Sequence, residues 1–466
     1  MWKEFKRKFI GDRAFYKYII LLALPMIAQN AITSFVSLLD NIMVGKIGTE
    51  QMSGVAIVNQ LIFVFNIAIF GAVSAGGIFG TQFYGKGDYE GQKHTFRFKI
   101  YAAMFITAIA IALFGLFGTE LINLYLSDSG DVGDIGLALR YGKEYLGIML
   151  IGLIPFALGQ TYINSIRETG HTFVPMIAGI AAMLTNLVLD ILFIFGVDGI
   201  IPAMGVKGAA IATVISRFVE LAIVVIWTHT HSEKNPYIKG AYASFWIPKG
   251  ILVDILKTGT PLMINEFMWA AGMAAISQCY AVRGLEVVAA QNISTTITNI
   301  FNVVYIQLGC CIAIVVGQRL GAGLIDEAKD VARKMILFCV VACAGVAAIM
   351  IMVGGYFPDI YQTEESIKAL ARTFITISAL VMPVCAFCHC SYFTLRSGGK
   401  TIITFLFDSV YTWVIVIPVA TLLAKYTTLG IAMVFLLVSS MEFIKAIIGF
   451  FMVKSGIWLN NIVGDK

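Results

Sequence analysis

Long apolar runs, separated by short clusters of charged residues, occupy most of the sequence. The run from Ile100 to Gly118, for example, contains no charged residue. A stretch of about 20 apolar residues spans a bilayer as an α-helix. Alternation with a period of two residues, which is typical of a membrane β-barrel, is weak throughout the chain. The pattern therefore predicts an all-α polytopic membrane protein.

The apolar runs predict twelve transmembrane helices, and no segment between them is long enough for a soluble domain. In residue numbers the predicted spans are 16–42, 52–83, 97–117, 141–165, 172–196, 206–228, 251–280, 288–320, 331–357, 366–395, 400–424 and 430–453. Several spans exceed the length that a bilayer requires, which indicates tilted or projecting helices. The basic segment at the start leads into a full-length apolar run, so we expect a retained first helix and no cleaved signal peptide.

The composition excludes a soluble globular protein. Hydrophobic residues make up 59% of the chain and charged residues only 13%, whereas about 25% of the residues in a soluble domain are charged. Three cysteines and a histidine, Cys385, Cys388, Cys390 and His389, fall close together in one span. We interpret the cysteines as small apolar core residues instead of metal ligands, and His389 as structural.

The distribution of basic residues predicts the orientation in the membrane. Most Lys and Arg residues fall in the first segment, in the loops after even-numbered spans and in the C-terminal tail. Positively charged loops stay on the cytoplasmic side. We therefore expect a multi-pass protein of the cytoplasmic membrane, surrounded by lipid, with both termini in the cytoplasm. The net charge of +5 reflects this bias and gives no indication of nucleic-acid binding.

The two halves of the chain repeat each other, and one constant shift aligns them over a long stretch. The shift pairs Pro25 with Pro261, Gln82-x-x-Gly85-x-Gly87 with Gln318-x-x-Gly321-x-Gly323 and, after a contraction of a few residues, Arg167-x-x-Gly170 with Arg396-x-x-Gly399. Six spans per half give both halves the same orientation. Parallel repeats place a substrate cavity between two lobes. We expect two pseudo-symmetric six-helix lobes, 1–228 and 251–466, joined by a cytoplasmic linker, 229–250.

The order and spacing of several short motifs resemble the multidrug and toxic compound extrusion (MATE) family over essentially the whole chain. The motifs are Ala-Leu-Pro25, Leu39-Asp40-Asn-Ile-Met-Val-Gly45, Gln82-Phe-Tyr-Gly-Lys-Gly87, Arg167-Glu-Thr-Gly170, Asn186-Leu-Val-Leu-Asp190 and Gly205-Val-Lys-Gly208. The resemblance implies a monomeric antiporter that exports cationic or amphipathic organic compounds against inward H⁺ or Na⁺. It implies neither a cofactor nor an enzymatic activity.

Ionisable residues inside a membrane span are costly and are functional candidates by default. Asp40 and Asp190 each lie far along an outward-running span, so the two carboxylates can share one depth. Asn186 precedes Asp190 by four residues and therefore lies on the same helix face. Two carboxylates and an amide oxygen suit Na⁺, whereas two carboxylates held close together also favour a bound proton. The residues alone leave both ions open.

The resemblance implies that Asp40, Asn186 and Asp190 form the cation site of the N-terminal lobe, with Tyr145 and Thr213 beside them. Apart from Na⁺ at Asp40, Asn186 and Asp190, no metal is expected. The alternative is a buried hydrogen-bonded cluster that joins helices. The resemblance also implies that Pro25 bends the first helix during transport. A static proline kink is the alternative.

In the second half, Glu266 follows Pro261 and resembles an acidic residue of the Na⁺-coupled branch of the family. The tenth span lacks the second acid of that branch, and Asp408 in the eleventh span is a candidate substitute. Glu266 and Asp408 are therefore predicted to form a substrate site or a second cation site. Asp408 is expected nearer the cytoplasm than Glu266, which leaves direct pairing open. Two further pairs, Arg217 with Glu220 and Glu442 with Lys445, lie three residues apart and are expected to neutralise each other.

The sequence thus favours a carrier of small organic cations or amphiphiles. A flippase for lipid-linked saccharides from the same superfamily is the alternative. It is disfavoured because the deep charges expected from the sequence are mostly acidic. A membrane enzyme would require a polar catalytic loop, which no stretch of this sequence resembles. A symmetric channel is disfavoured because the repeat aligns Asp40 with Ile276.

Overall fold

The computed structural model describes residues 8–128, 134–197 and 199–464. Within these ranges the chain forms twelve long helices and no strand beyond one isolated bridge. The helices are α1 (Arg13–Gly45), α2 (Thr49–Lys86), α3 (Tyr89–Asp128), α4 (Ile135–Glu168), α5 (Phe173–Ile194), α6 (Val206–Thr230), α7 (Lys249–Ala281), α8 (Leu285–Gly321), α9 (Ile325–Gly354), α10 (Glu365–Ser397), α11 (Thr401–Tyr426) and α12 (Ile431–Ser455). The predicted all-α class and the twelve predicted spans are confirmed.

Eleven of the described helices are long and apolar enough to cross a membrane. The remaining long helix, α7, carries Pro261, Asn265 and Glu266 in its middle, and these residues lower its apolar content. Helix α11 departs from regular geometry, because residues 406–410 and 412–416 form π-helical turns. Such turns widen the helix locally and occur frequently at functional sites. Asp408 lies in the first of them.

The described residues divide into two compact units. The N unit consists of Leu24–Gly80 and Tyr89–Val253, and the C unit of the described residues up to Ala23 together with Thr81–Asp88 and the chain from Asp254 onward. The division therefore runs through α1 immediately before Pro25, and through α2 and α7. The lobe boundaries predicted from the sequence, 1–228 and 251–466, stay a prediction.

The segment predicted as an inter-lobe linker, 229–250, packs within the N unit. The side chain of Tyr237 is fully buried in a cluster with Phe96 and Tyr162. The Arg97 guanidinium donates hydrogen bonds to the carbonyl oxygens of Ala241 at 2.7 Å, Gly240 at 3.0 Å and Trp246 at 3.0 Å. One arginine on α3 thereby ties residues 240–246 of this segment to the N unit.

The repeat seen in the sequence has a counterpart in the backbone. Gly87 and Gly323, which the repeat aligns, end α2 and α8 with φ values of 77° and 75°. Gly170 and Gly399 follow α4 and α10 with φ values of 85° and 74°. Glycine adopts this left-handed conformation without steric cost. Both halves therefore end the corresponding helices in the same way.

The two Gln-x-x-Gly motifs of the repeat pack against each other within the C unit. A Cβ atom on Gly85 would overlap the carbonyl of Gln318, and a Cβ atom on Gly321 would overlap the carbonyl of Gln82. The side-chain amide of Gln82 also holds the C-terminal segment, because it donates to the Asn460 carbonyl at 3.2 Å and accepts from the Ile462 backbone N–H at 2.9 Å. Glycine at both positions is thus required by the close approach of two backbones.

A fully buried ion pair joins α3 to α4 in the N unit. Lys99 Nζ lies 2.7 Å from Glu168 Oε1, and the two side chains are 0% and 3% exposed. The same ammonium group donates to Ser165 Oγ at 2.5 Å and Asn164 Oδ1 at 3.3 Å. Helix α2 approaches this pair closely through Gly80, where a Cβ atom would overlap the Glu168 carboxylate. The sequence analysis did not identify this pair, since its partners are far apart in sequence.

We expect Gly321→Ala to lower the thermal stability of the purified protein by several degrees, because overpacking typically costs about 1–3 kcal/mol. The matched control is Gly345→Ala in α9, where a Cβ atom would meet no heavy atom within 4 Å. Alanine in a helix interior is favoured over glycine by about 1 kcal/mol, so the control should be at least as stable as the native protein. Thermal unfolding in detergent checks both, and equal stability of the two variants would contradict the packing described.

We expect Glu168→Gln to destabilise the protein strongly, because it leaves the buried Lys99 ammonium without its counter-ion. Removing one partner of a buried pair costs about 3–5 kcal/mol. Glu90→Gln is the control, since Glu90 is largely exposed where it contacts Lys93 at 2.6 Å, and such exposed pairs contribute about 0–1 kcal/mol. The unfolding temperature in detergent distinguishes the two, and a loss no larger for Glu168→Gln would refute a stabilising role of the pair.

Candidate functional site

The five residues predicted for the N-terminal cation site lie together in the N unit. Asp40 on α1 is an electrostatic neighbour of Asp190 on α5, and Asn186 is adjacent to Asp190. Tyr145 on α4 lies next to both aspartates and to Thr213 on α6. Four helices therefore contribute to one cluster. Its role in cation binding stays a prediction.

The carboxylate of Asp190 lacks the partners that a buried charge requires. Asp190 is 1% exposed, and within the described part of the chain neither of its oxygens is in hydrogen-bonding geometry with a donor. The nearby hydroxyl groups donate elsewhere, Tyr145 Oη to Asn59 Oδ1 at 3.5 Å and Thr213 Oγ1 to the Ala209 carbonyl at 2.9 Å. A buried acid without donors is stable only if it holds a proton or binds a cation.

Arg217 on α6 is a further member of this cluster. Its guanidinium lies 3.5 Å from Glu220 and 4.9 Å from the centre of the Phe156 ring, which confirms the predicted pairing with Glu220. Arg217 also acts electrostatically on Asp40 and Tyr145. The sequence analysis considered only its partner on the same helix. The signal that could have identified the wider role is the presence of an arginine inside an apolar span.

Glu266 and Asp408 belong to one hydrogen-bonded network in the C unit but do not contact each other directly. Asn265 Nδ2 lies 3.3 Å from Asp408 Oδ2 and 3.2 Å from Tyr392 Oη. The Tyr392 hydroxyl in turn donates to Glu266 Oε1 at 3.4 Å. The sequence left direct pairing open, and in the structure Asn265 and Tyr392 connect the two acids.

Each acid of the C unit lies next to a basic side chain. Asp408 Oδ1 is 2.7 Å from Lys445 Nζ on α12, and Glu266 Oε1 is 3.7 Å from Arg396 on α10. Lys445 also lies 4.0 Å from Glu442, the partner predicted on its own helix, but its closer contact is with Asp408. The lysine reaches across to α11, and spacing along one helix carries no information about such a contact.

The charged side chains buried in the structure are also less predominantly acidic than the sequence suggested. Arg396, Lys445 and Lys99 are all buried, so the expectation of mostly acidic deep charges is wrong. Each base lies next to an acid on another helix. This arrangement neutralises charge inside the apolar core, where an isolated ion is costly.

Arg167 and Arg396, which the repeat aligns, make corresponding contacts in their own units. Arg167 donates to Gln29 Oε1 at 2.5 Å on α1, and Arg396 lies next to Glu266 on α7.

Pro25 lies inside α1, one turn before Gln29 and next to the division between the units. His389 packs with its ring 4.9 Å from that of Tyr305. Within the described residues, no group of three or more His, Cys, Asp or Glu side chains is arranged to hold a metal ion.

Comparison with known proteins agrees with this architecture. The MatE family model matches residues 25–192 and 261–422. A probable multidrug resistance protein NorM of Thermotoga maritima is 25% identical over 415 residues, which cover 89% of this chain and 87% of the relative. A probable multidrug resistance protein YoeA of Bacillus subtilis is 22% identical over 419 residues, covering 89% and 88%.

Solved structures show the same fold. An outward-facing multidrug resistance MATE family transporter of the MOP superfamily superimposes with a TM-score of 0.85 at 20% identity and covers 96% of each chain. The Vibrio cholerae MATE transporter VcmN in its bent form superimposes with a TM-score of 0.83 at 17% identity and covers 95% of this chain and 97% of its own. The family model matches both halves of the chain, which confirms the resemblance seen in the sequence and the prediction of a transporter instead of an enzyme. The chain therefore belongs to the MatE family of multi-pass membrane transporters.

Proposed function

We propose that this protein is a secondary active antiporter that exports cationic or amphipathic organic compounds, such as drugs and toxins, in exchange for H⁺ or Na⁺. The observation that carries the proposal is the buried Asp190 carboxylate, which lies beside Asp40 without a hydrogen-bond donor among the described residues. Binding of a cation supplies the compensation that the protein itself does not provide. The names of the relatives, which are probable multidrug resistance proteins, support the class of substrate.

In this proposal, the protein alternates between inward-facing and outward-facing states, and the coupling cation binds one state more tightly than the other. This difference in cation affinity couples cation entry to substrate export. A bound cation neutralises Asp40 and Asp190 and favours return to the inward-facing state, whereas the ionised pair favours the outward-facing state. An equilibrium shifts only when the ion binds the two states unequally. Each net charge that crosses the membrane contributes about 2.3 kcal/mol per 100 mV, so the potential drives export when more positive charge enters with the coupling ions than leaves with the substrate.

The coupling ion is H⁺ or Na⁺. Carboxylate oxygens of Asp40 and Asp190 together with the amide oxygen of Asn186 would bind Na⁺, with Tyr145 and Thr213 beside them. The same two carboxylates, held close together in an apolar region, would share a proton. The proposal also includes Glu266 and Asp408 as a substrate site or second cation site in the C unit, and Pro25 as the position where α1 bends.

The proposal further includes the cellular setting. The protein would act as a monomer in the cytoplasmic membrane, with both termini in the cytoplasm, as the distribution of Lys and Arg predicts. Its six-helix lobes, 1–228 and 251–466, would rock during transport. Small organic cations or amphiphiles would be its partners, and H⁺ or Na⁺ its only cosubstrate.

A flippase for lipid-linked saccharides is the second candidate, and one observation favours it. Arg396 and Lys445 are buried in the C unit, and basic residues of this kind would suit anionic head groups. Both residues lie next to acids of the same unit, which leaves little net positive charge for such a ligand. The geometry therefore supports the antiporter better.

We expect Asp40→Asn and Asp190→Asn each to abolish most export of ethidium from energised cells, because each removes a carboxylate that binds the coupling cation. Glu120→Gln, an exposed acid of α3, is the control and should export at the native rate. Efflux is followed by fluorescence with and without Na⁺, and dependence on Na⁺ identifies the coupling ion. Export unaffected by both aspartate substitutions would contradict the N-unit site. No export by folded native protein would favour the flippase.

A further inference from the structure

The sixth and twelfth helices, α6 and α12, occupy equivalent places in the repeat. Each carries an ion pair, but the acid and the base follow each other in opposite order along the two helices. Both helices begin after a glycine, Gly205 for α6 and Gly430 for α12. Counted from these glycines, Arg217 corresponds to Glu442 and Glu220 to Lys445. The base therefore lies one turn later in α12 than in α6.

This reversed order of acid and base changes which group each base contacts. In the N unit, Arg217 lies 3.5 Å from Glu220 on its own helix, and the Asp190 carboxylate keeps no donor in the described part of the chain. In the C unit, Lys445 lies 4.0 Å from Glu442 on its own helix and contacts Asp408 on α11 more closely, at 2.7 Å. The N unit thus leaves an acid uncompensated, and the C unit compensates its acid with a lysine.

We propose that the ammonium group of Lys445 is a tethered cation, which neutralises Asp408 as a transported cation neutralises Asp190. The inference rests on the proposed function, in which a cation exchanges at Asp190. It narrows the proposed C-unit site, because Asp408 then serves as a fixed anchor and does not exchange ions during transport.

The surroundings of Asp408 fit a cation that stays in place. The side chains of Lys445 and Asp408 are 10% and 15% exposed, so solvent ions have little access. Asn265 Nδ2 donates to the second carboxylate oxygen at 3.3 Å, and the Lys445 ammonium also lies 5.5 Å from the centre of the Phe407 ring. A compact ammonium group with three donors can replace a small cation at a carboxylate.

Removing the lysine would leave a site with the chemistry of a cation pocket. Asp408 and Glu442 would both face the vacated space, since Lys445 contacts each of them. Among the described residues, Glu266, Tyr392 and His389 interact electrostatically with Asp408, and His389, Cys385, Cys388 and Tyr411 interact with Lys445. Two carboxylates in an apolar region retain either Na⁺ or a proton, so the C unit would gain an exchangeable cation.

The test counts bound cations on the purified full-length protein in detergent. Radioactive Na⁺ binding at pH 8 gives the number of bound Na⁺ ions, and a pH-step titration gives the number of bound protons. We expect Lys445→Gln to bind one more cation per chain than the native protein, as Na⁺ or as H⁺. The double variant Lys445→Gln/Asp408→Asn should return to the native number. Lys454→Gln, an exposed lysine of the same helix, is the matched control and should bind the native number.

Three outcomes would overturn the inference. Folded Lys445→Gln that binds no additional cation would show that Asp408 has no cation place to fill. A double variant that binds fewer cations than the native protein would show that Asp408 already exchanges a cation beside Lys445. The comparison of the double variant with the native protein is decisive even where Lys445→Gln alone does not fold, because the double variant keeps a neutral hydrogen-bonding pair. An additional cation in Lys445→Gln that persists in the double variant would place it elsewhere.

The same measurement separates this inference from the proposed function. In an Asp190→Asn background, Lys445→Gln should still gain its cation, because the two acids belong to different units. If Asp190→Asn alone leaves the native number of bound cations unchanged, the proposed coupling site fails. The comparison of Lys445→Gln with the double variant then still decides the role of Lys445.

Discussion

The compensation of carboxylates inside an apolar helical bundle is the constraint on which the rest of this structure depends. An ionised acid in the membrane is costly, and the cost is offset only by a proton, a cation or a base. The protein uses two solutions. Glu168, Glu266 and Asp408 lie next to a base on another helix, whereas Asp190 is buried without a donor among the described residues. Asp190 is therefore the acid at which we propose that an ion exchanges.

The two repeated halves share backbone features but compensate their buried carboxylates in different ways. Corresponding turns adopt the same backbone conformation at Gly87 and Gly323, and both arginines of the repeated Arg-x-x-Gly motif contact a side chain on the first helix of their half. The charges on α6 and α12, however, are exchanged in order. The two halves thus repeat the same backbone turns and carry different arrangements of ionisable side chains.

The fold could be predicted from the sequence almost completely, because transmembrane helices are defined by local apolar content. Even α7, with Asn265 and Glu266 in its middle, was predicted as a span. The cluster around Asp40 and Asp190 was also predicted, since acids inside spans are rare. The contact of Lys445 with Asp408, the pair of Lys99 with Glu168 and the π-helical turns of α11 were not predicted. Each depends on how separate helices approach one another, which neither residue spacing nor composition specifies.

The central claim, that an exchangeable cation compensates the Asp40 and Asp190 pair, is tested most directly by the competition between cation and substrate. The measurement is equilibrium binding of a fluorescent organic cation to the purified protein, titrated with Na⁺ and with pH. Because coupling is reciprocal, the account predicts that Na⁺ or acid weakens substrate binding to the native protein, and that Asp190→Asn removes this dependence. Substrate affinity that is independent of both ions in the native protein would contradict the account.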